Sequence, residues 1–132
     1  MTLKSAISTS LITPADVTVG TAIPIGDVIH EFGCGTAHNP SSLLLNGIGY
    51  YDISAEFTVT PSAAGTVTIT MYEDGIPTAS KAMSTAVADA SVNMSLNALV
   101  KLPCYRLSKR ISFVLSGVDS TIESADIVAI KL

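Results

Sequence analysis

The sequence has little charge, few aromatic side chains and no tryptophan. Charged residues make up 14% of the 132 residues, whereas a typical soluble domain has roughly 25%. Disordered chains are poor in apolar residues, so a hydrophobic fraction of 48% excludes disorder. The longest aliphatic run, Leu43-Leu44-Leu45, is far shorter than the roughly 20 apolar residues of a membrane-spanning helix. The length is that of one compact domain.

A chain with so little charge must cover or hide its apolar surface by other means. It contains 16 Ser and 14 Thr, whose small hydroxyl side chains suit the solvent-facing positions of strands. A permanent subunit interface would hide further apolar surface, because obligate interfaces resemble a core cut in half. The net charge of −4 argues against general affinity for nucleic acid. We therefore expect a subunit partner, but neither a nucleic-acid nor a membrane partner.

Four of the seven basic residues lie close together in the sequence: Lys101, Arg106, Lys109 and Arg110. One interpretation is a solvated loop between two strands, since exposed charges contribute little to stability. The other is a docking patch for an acidic neighbour, most simply a protein surface. The sequence leaves both interpretations open.

Enzymatic chemistry has little to build on in this sequence. There are two histidines, no Gly-x-Ser-x-Gly elbow and no glycine-rich phosphate loop. The adjacent carboxylates Glu73 and Asp74 lie in an expected turn, where solvated side chains are the simpler interpretation. We expect a protein that is not an enzyme, with no catalytic residues and no cofactor.

One group of residues has the chemistry of metal ligands. His30, Cys34 and His38 follow one another at intervals of four, and Cys104 lies far away in the sequence. A structural zinc site takes four such ligands. Glycines on both sides of Cys34 disfavour the helix that would bring the first three together. We therefore expect no metal, and these four residues are the candidates should one bind.

The two cysteines are expected to be reduced. The first residues, Met1 to Ala6, contain one lysine but no apolar segment comes after it, so no secretory signal is expected. Synthesis in a cytoplasm then keeps Cys34 and Cys104 as thiols. A disulfide between them after release from a cell is the alternative.

Apolar and polar residues alternate along much of the chain. The alternation is clearest in residues 51–60, 66–71 and 92–102, and a period of two is typical of half-buried strands. The segment Pro61–Gly65 predicts a hairpin loop between the first two, and Asp74-Gly75 predicts the next turn.

Further strands are predicted on both sides of these. Short strands are expected at Leu43–Leu45, Ala79–Met83 and Ile111–Leu115, and Val128, Ile130 and Leu132 supply the apolar set of a last one. In the first third, apolar pieces cut by Pro and Gly predict short edge strands at Leu11-Ile12, Val17–Val19, Ile23 and Val28-Ile29, and residues 33–42 predict a loop. About eight to ten antiparallel strands without a strong helix predict an all-β sandwich or barrel.

The aromatic residues divide between the two faces of their strands. By parity Tyr51 and Phe57 share one face, which we interpret as the core side, and Tyr50 lies on the opposite face. A ring with a polar handle is frequent at subunit interfaces, so Tyr50 and Tyr72 are the interface candidates.

The strand Gly49-Tyr50-Tyr51-Asp52-Ile53-Ser54-Ala55 resembles the "G-x-Y-x-I-S" strand of C1q/TNF-like jelly rolls. The following hairpin, the Asp-Gly turn and the closing run Thr121–Leu132 resemble the same family, so the resemblance covers roughly residues 43–132. It implies an antiparallel jelly-roll sandwich and a homotrimer in which one sheet of each subunit packs around a threefold axis. Residues 43–132 would form the jelly-roll body, and residues 1–42 an N-terminal arm and short edge strands of the same single domain.

The richness in Ser, Thr and Ala resembles structural proteins of bacteriophages and prophages, either decoration or fibre proteins, and the C-terminal domains of bacterial spore-surface proteins. The absence of a collagen-like Gly-X-Y region and of a secretion signal favours the phage interpretation. We therefore expect a virion protein, made in the bacterial host cytoplasm, whose trimer docks on the major capsid protein or another virion protein. Residues 1–20 are expected to act as its anchor or inter-subunit arm.

The alternative function is a receptor- or glycan-binding tip, or an adhesin, on a virion, spore or cell surface. Its partner would be a glycan or protein of the host surface. The lack of tryptophan weakens a carbohydrate-stacking site without excluding one.

Overall fold

The computed structural model describes residues 4–33, 35–104 and 108–132, which form eleven β-strands and no helix. No helix in this part of the chain is thus available to cross a membrane. The strands are β1 (Ala6–Leu11), β2 (Ala15–Val17), β3 (Asp27–Phe32), β4 (Thr36–Asn39), β5 (Ser42–Asn46), β6 (Gly49–Pro61), β7 (Gly65–Glu73), β8 (Ile76–Ala86), β9 (Val92–Leu102), β10 (Ser108–Ser116) and β11 (Ser120–Lys131).

The strands lie in two sheets, and all their pairings are antiparallel. The six-stranded sheet has the order β3-β1-β11-β6-β9, and the short β2 pairs with β11 beside this path. The five-stranded sheet has the order β4-β5-β10-β7-β8. Strands that follow one another in the chain, such as β6 and β7, lie in different sheets. The predicted antiparallel jelly-roll sandwich is confirmed.

The core lies between the two sheets and is built by the period-two alternation of the long strands. The buried side chains of β6 are Tyr51, Ile53, Ala55, Phe57 and Val59, and none of them is more than 2% exposed. Across the core, the rings of Phe57 and Phe113 meet edge to face with centroids 5.5 Å apart. Tyr51 and Phe57 are therefore core residues, as their parity predicts.

The strands predicted from the clearest alternation are confirmed, with two differences in length. The ladder of β6 and β7 reaches from Pro61 and Gly65, so the loop between them is shorter than predicted. Strand β8 extends over Ile76–Ala86, well beyond the predicted Ala79–Met83, because it pairs with β7 along most of its length. A register shift near Thr70 interrupts that pairing.

The last strand is present, but the predicted apolar set faces the wrong way. Its buried side chains include Ile127 and Ala129, whereas Ile130 is 44% exposed and Val128 lies on the outer face with it. The cause is a shift of register between Ile122 and Ser124, which inserts an extra residue and reverses the parity of the later residues of the strand.

The first third of the chain is more ordered than predicted. Strand β1 lies inside the six-stranded sheet, between β3 and β11, and β4 lies within the predicted loop 33–42. The residues around Ile23 form no named strand, although Ile23 donates its backbone N–H to the Phe113 carbonyl oxygen at 2.7 Å. Residues 6–11 are thus part of the body of the sandwich, and the predicted arm cannot include them.

Candidate functional site

Two ends of the sandwich can be told apart. The near end is where β6 begins, and it contains the turns at residues 46–49 and 74–75. The far end is where β6 ends, and it contains the turns at residues 62–64, 87–91 and 117–119. The outer face of the six-stranded sheet, which is turned away from the core, is apolar towards the near end and acidic towards the far end.

The apolar part is a row of side chains that crosses the sheet near this end. Cross-strand pairing aligns five residues of five neighbouring strands: Phe32, Ala6, Ile130, Asp52 and Leu99. Phe32 is 67% exposed and Leu99 is 62% exposed, although both are large apolar side chains. Large exposed apolar side chains that are clustered indicate an interaction surface, whereas isolated ones do not.

A groove runs along this face beside β3. It has a volume of about 160 Å³ and lies between β3, β1 and β11. Its lining includes Ala6, Ser8, Phe32, Val128 and Ile130. Because the groove is shallow and mostly apolar, it suits an apolar side chain of another surface rather than a polar small molecule.

The acidic part lies one to two rows further towards the far end. Asp126 stands directly opposite Glu56, and like charges in this arrangement repel each other. The Ser10 hydroxyl donates to Asp126 Oδ1 at 3.2 Å. A neighbouring hollow of about 230 Å³ is lined by these two carboxylates together with Asn93 and Ser95.

The four candidate metal ligands do not converge where the structure describes them. His30 lies on β3 of the six-stranded sheet, whereas His38 lies on β4 of the other sheet with its Nε2 2.7 Å from the Gly26 carbonyl oxygen. Cys104 is exposed in the turn after β9, and Cys34 lies outside the described residues. No group of three or more His, Cys, Asp or Glu side chains within the described residues could hold a metal ion.

The basic residues of the candidate docking patch all belong to the near end but face different ways. Lys101 lies on the outer face of the six-stranded sheet, with its Nζ 5.9 Å from the centroid of the Tyr50 ring. Lys109 forms an ion pair with Glu73 at 2.9 Å. Arg110 is exposed on the five-stranded sheet. Arg106 lies outside the described residues.

The two interface candidates lie on opposite sides of the molecule. Tyr50 is 46% exposed on the outer face of the six-stranded sheet. Tyr72 lies on β7 opposite Ser112, on the outer face of the five-stranded sheet. One interface built on a single sheet face can therefore include only one of them, and Tyr50 is the one beside the apolar row.

Tyr51, next to it, supports the near end from inside. Its hydroxyl donates to the carbonyl oxygens of Asn46 and Gly47, at 2.7 and 2.9 Å. Burial raises the pKa of this hydroxyl above its usual value, because the charged form loses its hydration. The turn that carries the near-end loop is thus held by a neutral phenol.

No family model matches the sequence, and no curated protein does. Solved structures do match. The crystal structure of murine APRIL at pH 5.0 superposes with a TM-score of 0.76 at 9% identity, covering 98% of this chain and all of that one.

Two further structures agree. The globular domain of zebrafish complement 1qA gives a TM-score of 0.69 at 10% identity, with 94% of each chain covered. The Eiger TNF of S. frugiperda gives 0.71 at 10% identity, with 98% of this chain and 92% of that one covered. The chain has the C1q/TNF-like jelly-roll fold. At such low identity the likeness is one of fold alone.

Within this jelly roll, sequence reasoning missed the residues that make the outer face apolar. Leu99 stands between Ala98 and Val100, so it breaks the alternation of β9, and an apolar residue at a solvent position was the available signal. Phe32 gave no comparable signal, because its strand was predicted only as a fragment at Val28-Ile29.

Proposed function

We propose that this chain is a non-enzymatic structural protein that works as a homotrimer, with the outer face of its six-stranded sheet at the subunit interface. The observation that carries the proposal is the exposed apolar row at the near end, in a chain with only 14% charged residues. Tyr50 and Leu132, which are 46% and 64% exposed, extend this surface. A surface of this kind resembles the apolar centre of an obligate interface.

The energetics favour association. Full burial of one large apolar side chain contributes roughly 1.5–3 kcal/mol. Phe32, Leu99 and Ile130 of each subunit would be buried in a trimer, in addition to Tyr50. Several such side chains per interface offset the loss of translational and rotational freedom, which costs about 4–15 kcal/mol.

The biological setting we propose is the surface of a bacteriophage virion. The trimer docks on the shell, by contact with the major capsid protein or another virion protein, and decorates or stabilises it. Support comes from the position of the basic residues, because Lys101, Lys109 and Arg110 all belong to the near end and would face an acidic shell together. Electrostatic complementarity of this kind sets orientation and speeds association.

Light scattering coupled to size-exclusion chromatography tests the trimer. The expected mass is about 41 kDa, three times the chain mass of 13.6 kDa. A mass of 13.6 kDa at every concentration and salt tested would overturn the proposed homotrimer.

Co-sedimentation with undecorated capsids tests the docking. The variant Lys101→Glu/Arg110→Glu is expected to lose occupancy, while Lys81→Glu, a charge reversal in the middle of β8, keeps it. Binding to host cells or to a glycan array without any binding to capsids would replace this setting by a receptor- or glycan-binding module.

A further inference from the structure

The two sides of the outer face of the six-stranded sheet are complementary in shape. On the β3 side lies the apolar groove, whose floor and walls include Ser8 and Phe32. On the β9 side stands Leu99, a large apolar side chain that projects with 62% of its surface exposed. A projecting side chain and a groove that cannot meet within one copy can meet between two copies.

The groove and Leu99 are also at the same height along the strands. Cross-strand pairing places Phe32 and Leu99 in one row, four strand spacings apart, which is roughly 19 Å. Rotation about an axis parallel to the strands leaves the height of every residue unchanged. A second copy related by such a rotation therefore presents its Leu99 at the level of the groove.

The charges on the two sides are complementary as well. Strand β3 carries Asp27 and Glu31, and no Lys or Arg occurs within its six residues. Strands β8 and β9, which meet at the opposite side of the sandwich, carry Lys81 and Lys101 and no carboxylate within their bounds. Opposite charges on two surfaces favour their contact and oppose the contact of either surface with itself.

We propose that Leu99 of each subunit seats in the β3–β1–β11 groove of the next subunit, with Lys81 and Lys101 facing its Asp27 and Glu31. This contact joins two different patches, so it is heterologous, and it closes into a ring when the rotation between copies does. The inference rests on the proposed homotrimer and adds the side chain and the groove that fix its register.

The first test is the variant Leu99→Asp, compared with Val87→Asp in the far-end turn. Val87 is 59% exposed, so the two substitutions start from similar exposure. Leu99→Asp is expected to raise the trimer dissociation constant at least tenfold, since it removes a buried apolar contact and places a carboxylate beside acidic residues. Val87→Asp is expected to leave the constant unchanged, and circular dichroism checks that both variants fold.

The second test is a disulfide that only two neighbouring subunits can form. In a Cys34→Ser/Cys104→Ser background, Ser8→Cys combined with Leu99→Cys should give covalent trimers on oxidation. Within one copy these positions lie on β1 and β9, with β11 and β6 between them, which is too far for a disulfide. Each single cysteine variant is expected to remain uncross-linked.

The outcomes separate this inference from the proposed function. A wild-type trimer that Leu99→Asp leaves intact, with no cross-link between Ser8→Cys and Leu99→Cys, overturns the Leu99 contact while the trimer stands. A wild-type chain that stays monomeric overturns both. A trimer that Leu99→Asp weakens and the cysteine pair locks supports both.

Discussion

Two threonines of the core carry hydroxyl groups without a visible role. Thr9 is fully buried and Thr36 is 3% exposed, and neither side-chain oxygen has a hydrogen-bond partner among the described residues. Burying a hydroxyl without a partner costs free energy that an apolar group of the same shape would not.

Thr9→Val is therefore expected to stabilise the protein, by about 1 kcal/mol in the free energy of unfolding. Urea denaturation measures it. The control is Ser120→Ala, which removes a buried hydroxyl that does have a partner, the Val118 carbonyl oxygen at 3.0 Å. The control should destabilise, and a loss of stability in Thr9→Val would contradict the argument.

Tyr51 makes stability depend on pH in the alkaline range. Folding raises the pKa of its hydroxyl, so the stabilisation it supplies is complete below about pH 10 and is lost as the pH rises through the folded-state value. Tyr51→Phe is expected to cost about 1–2 kcal/mol at pH 7 through the lost hydrogen bonds. Above pH 10 the variant should lose less stability per pH unit than the wild type, which chemical denaturation over a pH series measures.

At the scale of the elements, one connection into β3 depends on a glycine. Gly26 has φ of +80°, and a Cβ there would overlap the backbone carbonyl oxygen of Ser10 on the neighbouring strand. Gly20 has a similar φ of +88° but nothing within 4 Å of such a Cβ. The two positions therefore separate backbone strain from steric overlap.

Gly26→Ala is expected to destabilise by at least ~2 kcal/mol more than Gly20→Ala, which should cost about 1 kcal/mol from strain alone. Thermal unfolding of the two variants measures the difference. Equal losses would mean that β3 can shift away from β1 at little cost.

The elements that sequence reasoning found are those whose inward positions are all apolar. Strands β6, β7 and β9 have this pattern, and their existence could be predicted. Strand β1 does not, because the polar Thr9 occupies an inward position, and pairing on both sides compensates for the weak pattern. Tyr50 could be placed on an outer face by parity, whereas the groove depends on the register of three strands distant in sequence.

At the scale of the whole molecule, the charges are unevenly distributed along the strands. Four carboxylates lie at the far end: Asp16, Asp89, Asp119 and Glu123. None of the Lys and Arg residues that the structure describes lies there. Hydroxyl and amide groups hold three of the carboxylates instead, as in the 2.7 Å bond that Val19 donates to Asp119.

Salt is therefore expected to stabilise the protein by screening this repulsion. Raising the ionic strength from about 10 mM to about 0.5 M should raise the melting temperature by ~1–3 °C. Asp89→Asn should reduce that gain, because it removes one of the charges while Asn accepts the positive φ at this position. A melting temperature that falls with salt would contradict the argument.

The position of β11 constrains how the protein is made. This strand lies between β1 and β6 in the six-stranded sheet, yet it is the last of the eleven to leave the ribosome. Until then β1 and the β6–β9 pair have no partner between them, and their apolar faces stay open in the nascent chain. Folding must follow synthesis rather than accompany it, and the contacts that complete the sheet join residues more than a hundred positions apart. The same interval leaves unpaired strand edges exposed, so high expression favours aggregation over folding.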